Sequence, residues 1–187
     1  LFLSACSGYS KLSKNQKKWV RKHPFAALKV KKINQRTDVV YAYVKSKNLL
    51  DSFENGGKLD AYRHIYYMAM LAQKINPGKL RSLGEAHEED NYLDYLKGKY
   101  ENGEPPDSLS CVMDIFNNSV GIELVDDASK TLSPEALSKK CMDAIRSGQA
   151  WFFRRDEKGN YVNCHGTVID MASYKGKWNI PKCLVQR

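Results

Sequence analysis

The chain has no apolar run of about 18 residues, the length a membrane-spanning helix needs. No spanning helix is expected within these residues. The cysteines are few, and none forms C-x-x-C or another close pair, which argues against a zinc knuckle. There is no G-x-S-x-G elbow and no H-E-x-x-H helix. No internal repeat and no low-complexity segment occurs. Only 4 histidines are present, so each can be weighed singly. The last absence is local. From Lys11 to Arg36 the chain carries ten basic residues and no acidic one.

That gap supplies most of the net charge of +9, and the rest of the chain is close to neutral. A basic stretch of this kind suits an anionic neighbour, either nucleic acid or acidic phospholipid. The first residues favour the second. "LFLSAC" resembles the end of a bacterial lipoprotein signal, in which Leu3-Ser4-Ala5-Cys6 is the lipobox and Cys6 the lipidated residue. A lipid group beside a basic segment is a two-signal membrane anchor. Ser7 after that cysteine is compatible with outer-membrane sorting, by the same resemblance. The chain then divides into residues 1–6 (signal end), 7–23 (basic, membrane-proximal) and 24–187 (one domain). Its expected address is the cell envelope, at the periplasmic face of the outer membrane. Nucleic acid is not an expected partner. The other cysteines, Cys111, Cys141, Cys164 and Cys183, are even in number, which in an exported protein suggests disulfides with open connectivity. Free buried thiols are the alternative.

Helical periodicity dominates. "SKNQKKWVRKH" reads as a short helix stopped at His23-Pro24. Ala26, Ala27, Val30 and Ile33 follow at helical spacing, and Thr37-Asp38 reads as a cap opening a second piece with Val39, Val40, Tyr43 and Val44. These form one bent helix or two. "NLLDSFENGGK" is a loop. The helix after it is apolar on more than one side and so belongs at the centre of a bundle. Helices are also expected over about 78–90, 109–125 and 134–147, the last opened by Ser133-Pro134 and closed by Gly148. "AWFFRRDEKGNYV" reads as a β-hairpin. The expected fold class is mainly α, a helical bundle with a small C-terminal β-hairpin appendage.

Three helices place polar groups where core should be: Asp60, Arg63 and His64 in "DAYRH"; Glu85, His87, Glu88 and Glu89 in "GEAHEED"; Asp114, Asn117 and Asn118 in "MDIFNNSVG". Spacings of three and four residues put each set on one helix face. Buried polar groups need hydrogen bonds and buried charges need partners, so the three sets are expected to meet. The chemistry this suits is catalysis by His64, His87 and Asp114, with Asp60, Arg63, Glu88, Asn117 and Asn118 holding a substrate. A histidine would act as general base, an aspartate would orient it, and an asparagine would donate to a developing oxyanion. A divalent metal on the histidines and an aspartate is a second possibility. The plain alternative is a polar network that only locks three helices in register.

These motifs carry a resemblance. "DAYRH", "AHE" and "MDIFNNSVG", in that order over about residues 38–155, are similar to the signature of an uncharacterised bacterial domain family found in secreted, phage-associated and toxin-like proteins and in lipoproteins. Its pattern is D-A-[FY]-R-H-x-[YF]-W, then D-A-H-E, then M-D-x-x-N-N-x-V-G. The later "AIRSGQAWFF" matches the family's helix, glycine and aromatic strand. Glu85 and Tyr67 depart from the pattern, standing for an aspartate and a tryptophan. The resemblance implies a domain and not a reaction. The expectation for function is an envelope lipoprotein hydrolysing a lipid or cell-wall component. The alternative is a non-enzymatic envelope or immunity-type lipoprotein whose polar network is structural.

Overall fold

The computed structural model describes residue 9, residues 12–99 and residues 106–186. Cys6 and the rest of the lipobox lie outside them. The order is α1 (Lys14–Lys22), α2 (Pro24–Ser46), α3 (Lys58–Ala72), α4 (Pro77–Leu96), α5 (Ser108–Glu123), α6 (Pro134–Arg146), β1 (Phe152–Phe153) and β2 (Leu184–Val185), with short 3-10 turns at Ala128–Thr131 and Met171–Tyr174. The fold is mainly α with a two-stranded antiparallel appendage, as expected. Among the described residues no helix is long and apolar enough to cross a membrane.

α3 is the axis. Twelve of its 15 residues are buried. It packs against α2, α4, α5 and α6. Its backbone start is satisfied from a distance: Asp51 accepts from the N–H groups of Lys58 (2.7 Å) and Leu59 (2.9 Å), meeting donors that a helix N-terminus leaves open. Tyr62 and Tyr66 stack at 5.3 Å, and Tyr41 of α2 extends the stack at 6.3 Å. Tyr67 donates its hydroxyl to Asp38.

α3 and α5 cross at a glycine. A Cβ on Gly121 would lie 2.2 Å from the carbonyl oxygen of Ile65. Only a residue without Cβ lets the two backbones meet this closely. That contact sets the depth at which the polar side of α5 reaches α3. α1 joins the bundle rather than standing apart from it. Trp19 is buried and its indole donates to Lys79 O (3.0 Å) and Ser82 Oγ (3.1 Å) on α4.

Several expectations shift. α2 is one helix, and Thr37-Asp38 lies inside it: Thr37 Oγ1 donates to Ile33 O at 3.0 Å, four residues back, and Asp38 takes the Tyr67 hydroxyl. α4 runs on to Leu96, past the expected end near residue 90. α5 is capped by Asp107, whose Oδ1 accepts from Leu109 and Ser110 N–H. The turn at Asp156–Gly159 forms, but its arms meet at a single Arg155–Tyr161 bridge, and Phe152-Phe153 pair instead with Leu184-Val185. Cys164 and Cys183 form a disulfide, while Cys111 and Cys141 are free thiols.

A smaller second core joins Met113 to Phe153, Tyr161, Ile169 and Ile180 of the tail. At its edge Lys182 donates to Asp107 Oδ2 at 2.8 Å, both side chains almost wholly buried.

Candidate functional site

Asp60 stands in the first turn of α3. Its Oδ2 accepts from Gly56 N–H at 2.6 Å, and its Oδ1 accepts from Arg63 Nη2 at 2.5 Å and Nε at 3.1 Å. Burial opposes the charge on this carboxylate. The Arg63 guanidinium, His64 and the Gly56 N–H outweigh that burial and hold the acid well below the usual carboxylate range.

His64 is 1 % exposed and meets polar groups of its own helix and of α5. Its Nδ1 lies 3.2 Å from Asn118 Oδ1. Its Nε2 lies 3.2 Å from Asp114 Oδ1, 3.6 Å from Asp60 Oδ1 and 3.2 Å from Arg63 Nη2. A guanidinium only donates, so Nε2 is the acceptor in the arginine contact. The proton of the neutral ring is then on Nδ1, donated to Asn118. Burial first, and Arg63 second, lower the histidine's proton affinity, with Asp60 pulling the other way. The Nε2 lone pair thus faces a cation that disfavours its protonation and two carboxylates that favour it.

Asp60, His64 and Asp114 each offer one ligand atom within 4.8 Å of the others. In type and spacing these atoms fit a divalent cation. Arg63 Nη2 already lies against two of the three, so the guanidinium holds the cationic position.

The structure brings together five of the expected residues: Asp60, Arg63, His64, Asp114 and Asn118. Asn117 is buried on the same helix but turns to the tail, donating Nδ2–H to Trp151 O (2.8 Å) and accepting from Trp151 N–H (3.0 Å). Glu88 accepts from Asn91 Nδ2 at 2.9 Å and stands beside Cys111, whose thiol burial and this carboxylate push far up. His87 lines a cavity of about 500 Å³ with Leu12, Ser13, Asp90, Asn91 and Lys97. Burial pushes its pKa well below 6.5, and the positive charge of Arg63 adds to this. The imidazole is therefore neutral at neutral pH.

Sequence reasoning passed over the glycines. Gly56 gives Asp60 its backbone donor at φ +66°, and Gly121 sets the helix spacing. The available signals were the Gly56-Gly57 pair ahead of the helix and the glycine ending "MDIFNNSVG". Gly84 matters too. A Cβ there would come within 3.0 Å of Asn118 Nδ2. That buried nitrogen has no hydrogen-bond partner among the described residues and lies at a cavity of about 50 Å³, room for ordered water.

A family model described as "Domain of unknown function (DUF6973)" matches residues 17–149. The match spans all three polar motifs, and it accords with the expected membership of an uncharacterised domain family. Comparison with curated proteins and with solved structures gave no match.

Proposed function

We propose a catalytic reading for this chain, which belongs to the DUF6973 domain family: it is a hydrolase of a cell-envelope component, a lipid or part of the cell wall, working through His64. The observation that carries the reading is the setting of that ring. Its Nδ1 is turned to Asn118, and its Nε2 is held between Arg63 and Asp114. A base poised in this way suits proton transfer, because the neutral form dominates while Asp114 is in place to stabilise the imidazolium that forms. His64 takes a proton from water or a substrate hydroxyl. Asn118 orients the ring through Nδ1–H, and Asp114 meets Nε2–H once the proton has arrived. Arg63, the more exposed partner in its pair with Asp60, donates to the developing negative charge. The cavity beside His87 has the volume of a small-molecule site. The envelope address rests on Leu3-Ser4-Ala5-Cys6 and on the basic stretch after it.

The test is turnover by the purified protein on phospholipid and peptidoglycan panels, beside His64→Asn and Asp114→Asn. Loss of a positioned general base costs about 10²–10⁴-fold in rate. The reading predicts such a loss with melting temperatures kept within a few degrees. It is refuted by a wild type that turns over neither panel, or by a His64→Asn protein as active as wild type.

A second reading is favoured by one observation, the near-complete burial of His64. On it the network only holds α3 against α5, in a non-enzymatic envelope protein. The same variants then lose several degrees of stability and no turnover is found.

A further inference from the structure

α2 buries one stripe and leaves the other open. Ala26, Val30, Asn34, Thr37 and Val44 face the bundle. On the far side Phe25, Leu28, Lys32, Arg36, Val39 and Tyr43 step by three or four residues and so form one line along the helix. Four of these six are large apolar groups in open solvent: Phe25 is 81 % exposed, Leu28 68 %, Val39 70 % and Tyr43 58 %. Single exposed hydrophobics are ordinary. An aligned set on the outer face of one helix is not, because solvation alone would favour polar residues there.

The charge on this face has one sign. Lys32 and Arg36 lie within the line, Lys31 beside it, and Arg21 and Lys22 of α1 lead into it, all exposed. The acidic residue nearest the line in sequence, Asp38, is engaged by the Tyr67 hydroxyl. Lys29 is drawn aside to Lys74 O at 3.2 Å. A second copy of the chain would bring the same positive charge against it. Phosphates of a nucleic acid would meet the lysines but leave the aliphatic groups without a partner. An acidic bilayer satisfies both kinds of group, with headgroups for the basic residues and the acyl boundary for Phe25, Leu28 and Val39.

We propose that the outward face of α2 is an interfacial docking surface that lies flat on an anionic phospholipid bilayer, with Phe25 and Tyr43 at either end of the contact. Those two residues are about 27 Å apart along the axis at the helical rise. The apolar groups enter the headgroup boundary, and the basic side chains stay at the phosphate level. The surface orients the bundle with α3 and the polar site on the side of α2 away from the lipid. It needs neither turnover at His64 nor acylation of Cys6, so it stands or falls separately from the proposed activity.

The experiment is vesicle co-sedimentation of the unacylated full chain. One set of vesicles is phosphatidylcholine alone, and the other carries about three parts in ten phosphatidylglycerol. The expected result is binding to the acidic vesicles at ~0.05 M salt, at least about tenfold weaker on phosphatidylcholine and at ~0.5 M salt. The triple variant Phe25→Ser, Leu28→Ser and Val39→Ser should keep its melting temperature, since these side chains are solvent-exposed, and bind at least about tenfold more weakly. Absence of binding to acidic vesicles at low salt overturns the proposal. So does a triple variant that binds like wild type, which would make the attraction purely electrostatic. Equal binding to a duplex RNA, lost on neither vesicle competition nor the serine substitutions, would assign the basic face to nucleic acid instead.

Discussion

Gly121→Ala tests whether the α3–α5 crossing governs the polar site. The added methyl would sit 2.2 Å from Ile65 O and 2.9 Å from its carbonyl carbon. Ordinary contact requires the helices to part by about 1 Å, and backbone on both sides cannot yield as a flexible side chain can. Overpacking of this kind costs about 1–3 kcal/mol. For a chain of this size that is a fall of roughly 2–12 °C in melting temperature. The same displacement acts one and two turns back along α5. The hydrogen bond of His64 with Asn118 is 3.2 Å long, near the outer edge for such bonds, and would open beyond it, and the 3.2 Å approach of Asp114 to Nε2 would lengthen with it. The assay is therefore double: thermal unfolding, and the imidazole nitrogen shifts of His64 by long-range ¹H–¹⁵N correlation. The expected result is a lowered melting temperature together with loss of the fixed Nδ1–H tautomer. A Gly121→Ala protein that melts with wild type and keeps the tautomer would refute the claim that this glycine sets the site's depth.

Three further outcomes follow from the same geometry. Arg63→Ala should create a divalent-cation site, because it removes the cationic donor from among Asp60, His64 and Asp114; Mn²⁺ or Zn²⁺ should raise its melting temperature and leave wild type unmoved, and an equal shift in both proteins would show that the guanidinium excludes nothing. Lys182→Met should cost about 3–5 kcal/mol, because Asp107 is left buried and unpaired; adding Asp107→Asn, which still caps α5, should restore most of the loss, and failure of that rescue would deny the pair its role. His87 binds its proton more weakly when folded than in the unfolded chain, so stability is full above the ordinary value of 6.5 and declines as pH falls from 6.5 toward the depressed folded value. His87→Gln should flatten that decline, and an unchanged profile would place the acid sensitivity elsewhere.

What the sequence made legible was local. Ser133-Pro134 opens α6, Gly148 follows its end, and the i, i+4 pair Asp60–His64 faces inward, because caps and periodicity act within a turn or two. Thr37-Asp38 misled for the same reason. A short polar pair is a cap signal, and only the tertiary partner Tyr67 shows that Asp38 is employed elsewhere. Asn117 and Asn118 were indistinguishable, being neighbours on one helix whose roll is set by Gly121 against Ile65. The pairing of Phe152-Phe153 with Leu184-Val185 and of Cys164 with Cys183 depends on a chain reversal that no local pattern encodes.

The tail is more than an appendage. The family match ends at residue 149, yet both helices of the polar site are held by residues beyond it. Trp151 closes two hydrogen bonds on Asn117, next to the Asn118 that meets His64. Phe153 N–H donates to Gly56 O at 2.7 Å, while Gly56 N–H holds Asp60. One short segment, Trp151 with the first strand after it, therefore grips the α5 side and the α3 side of the site at once. That strand is itself pinned: Arg154 N–H donates to Cys183 O at 2.8 Å, and Cys183 is tied to Cys164. The geometry of His64 thus depends on contacts spread from Gly56 to Cys183. A fragment cut at the boundary of the family match would keep every polar residue of the site and lose the strand that sets them, so melting and histidine tautomer should both change in it, even though no side chain facing His64 has been removed.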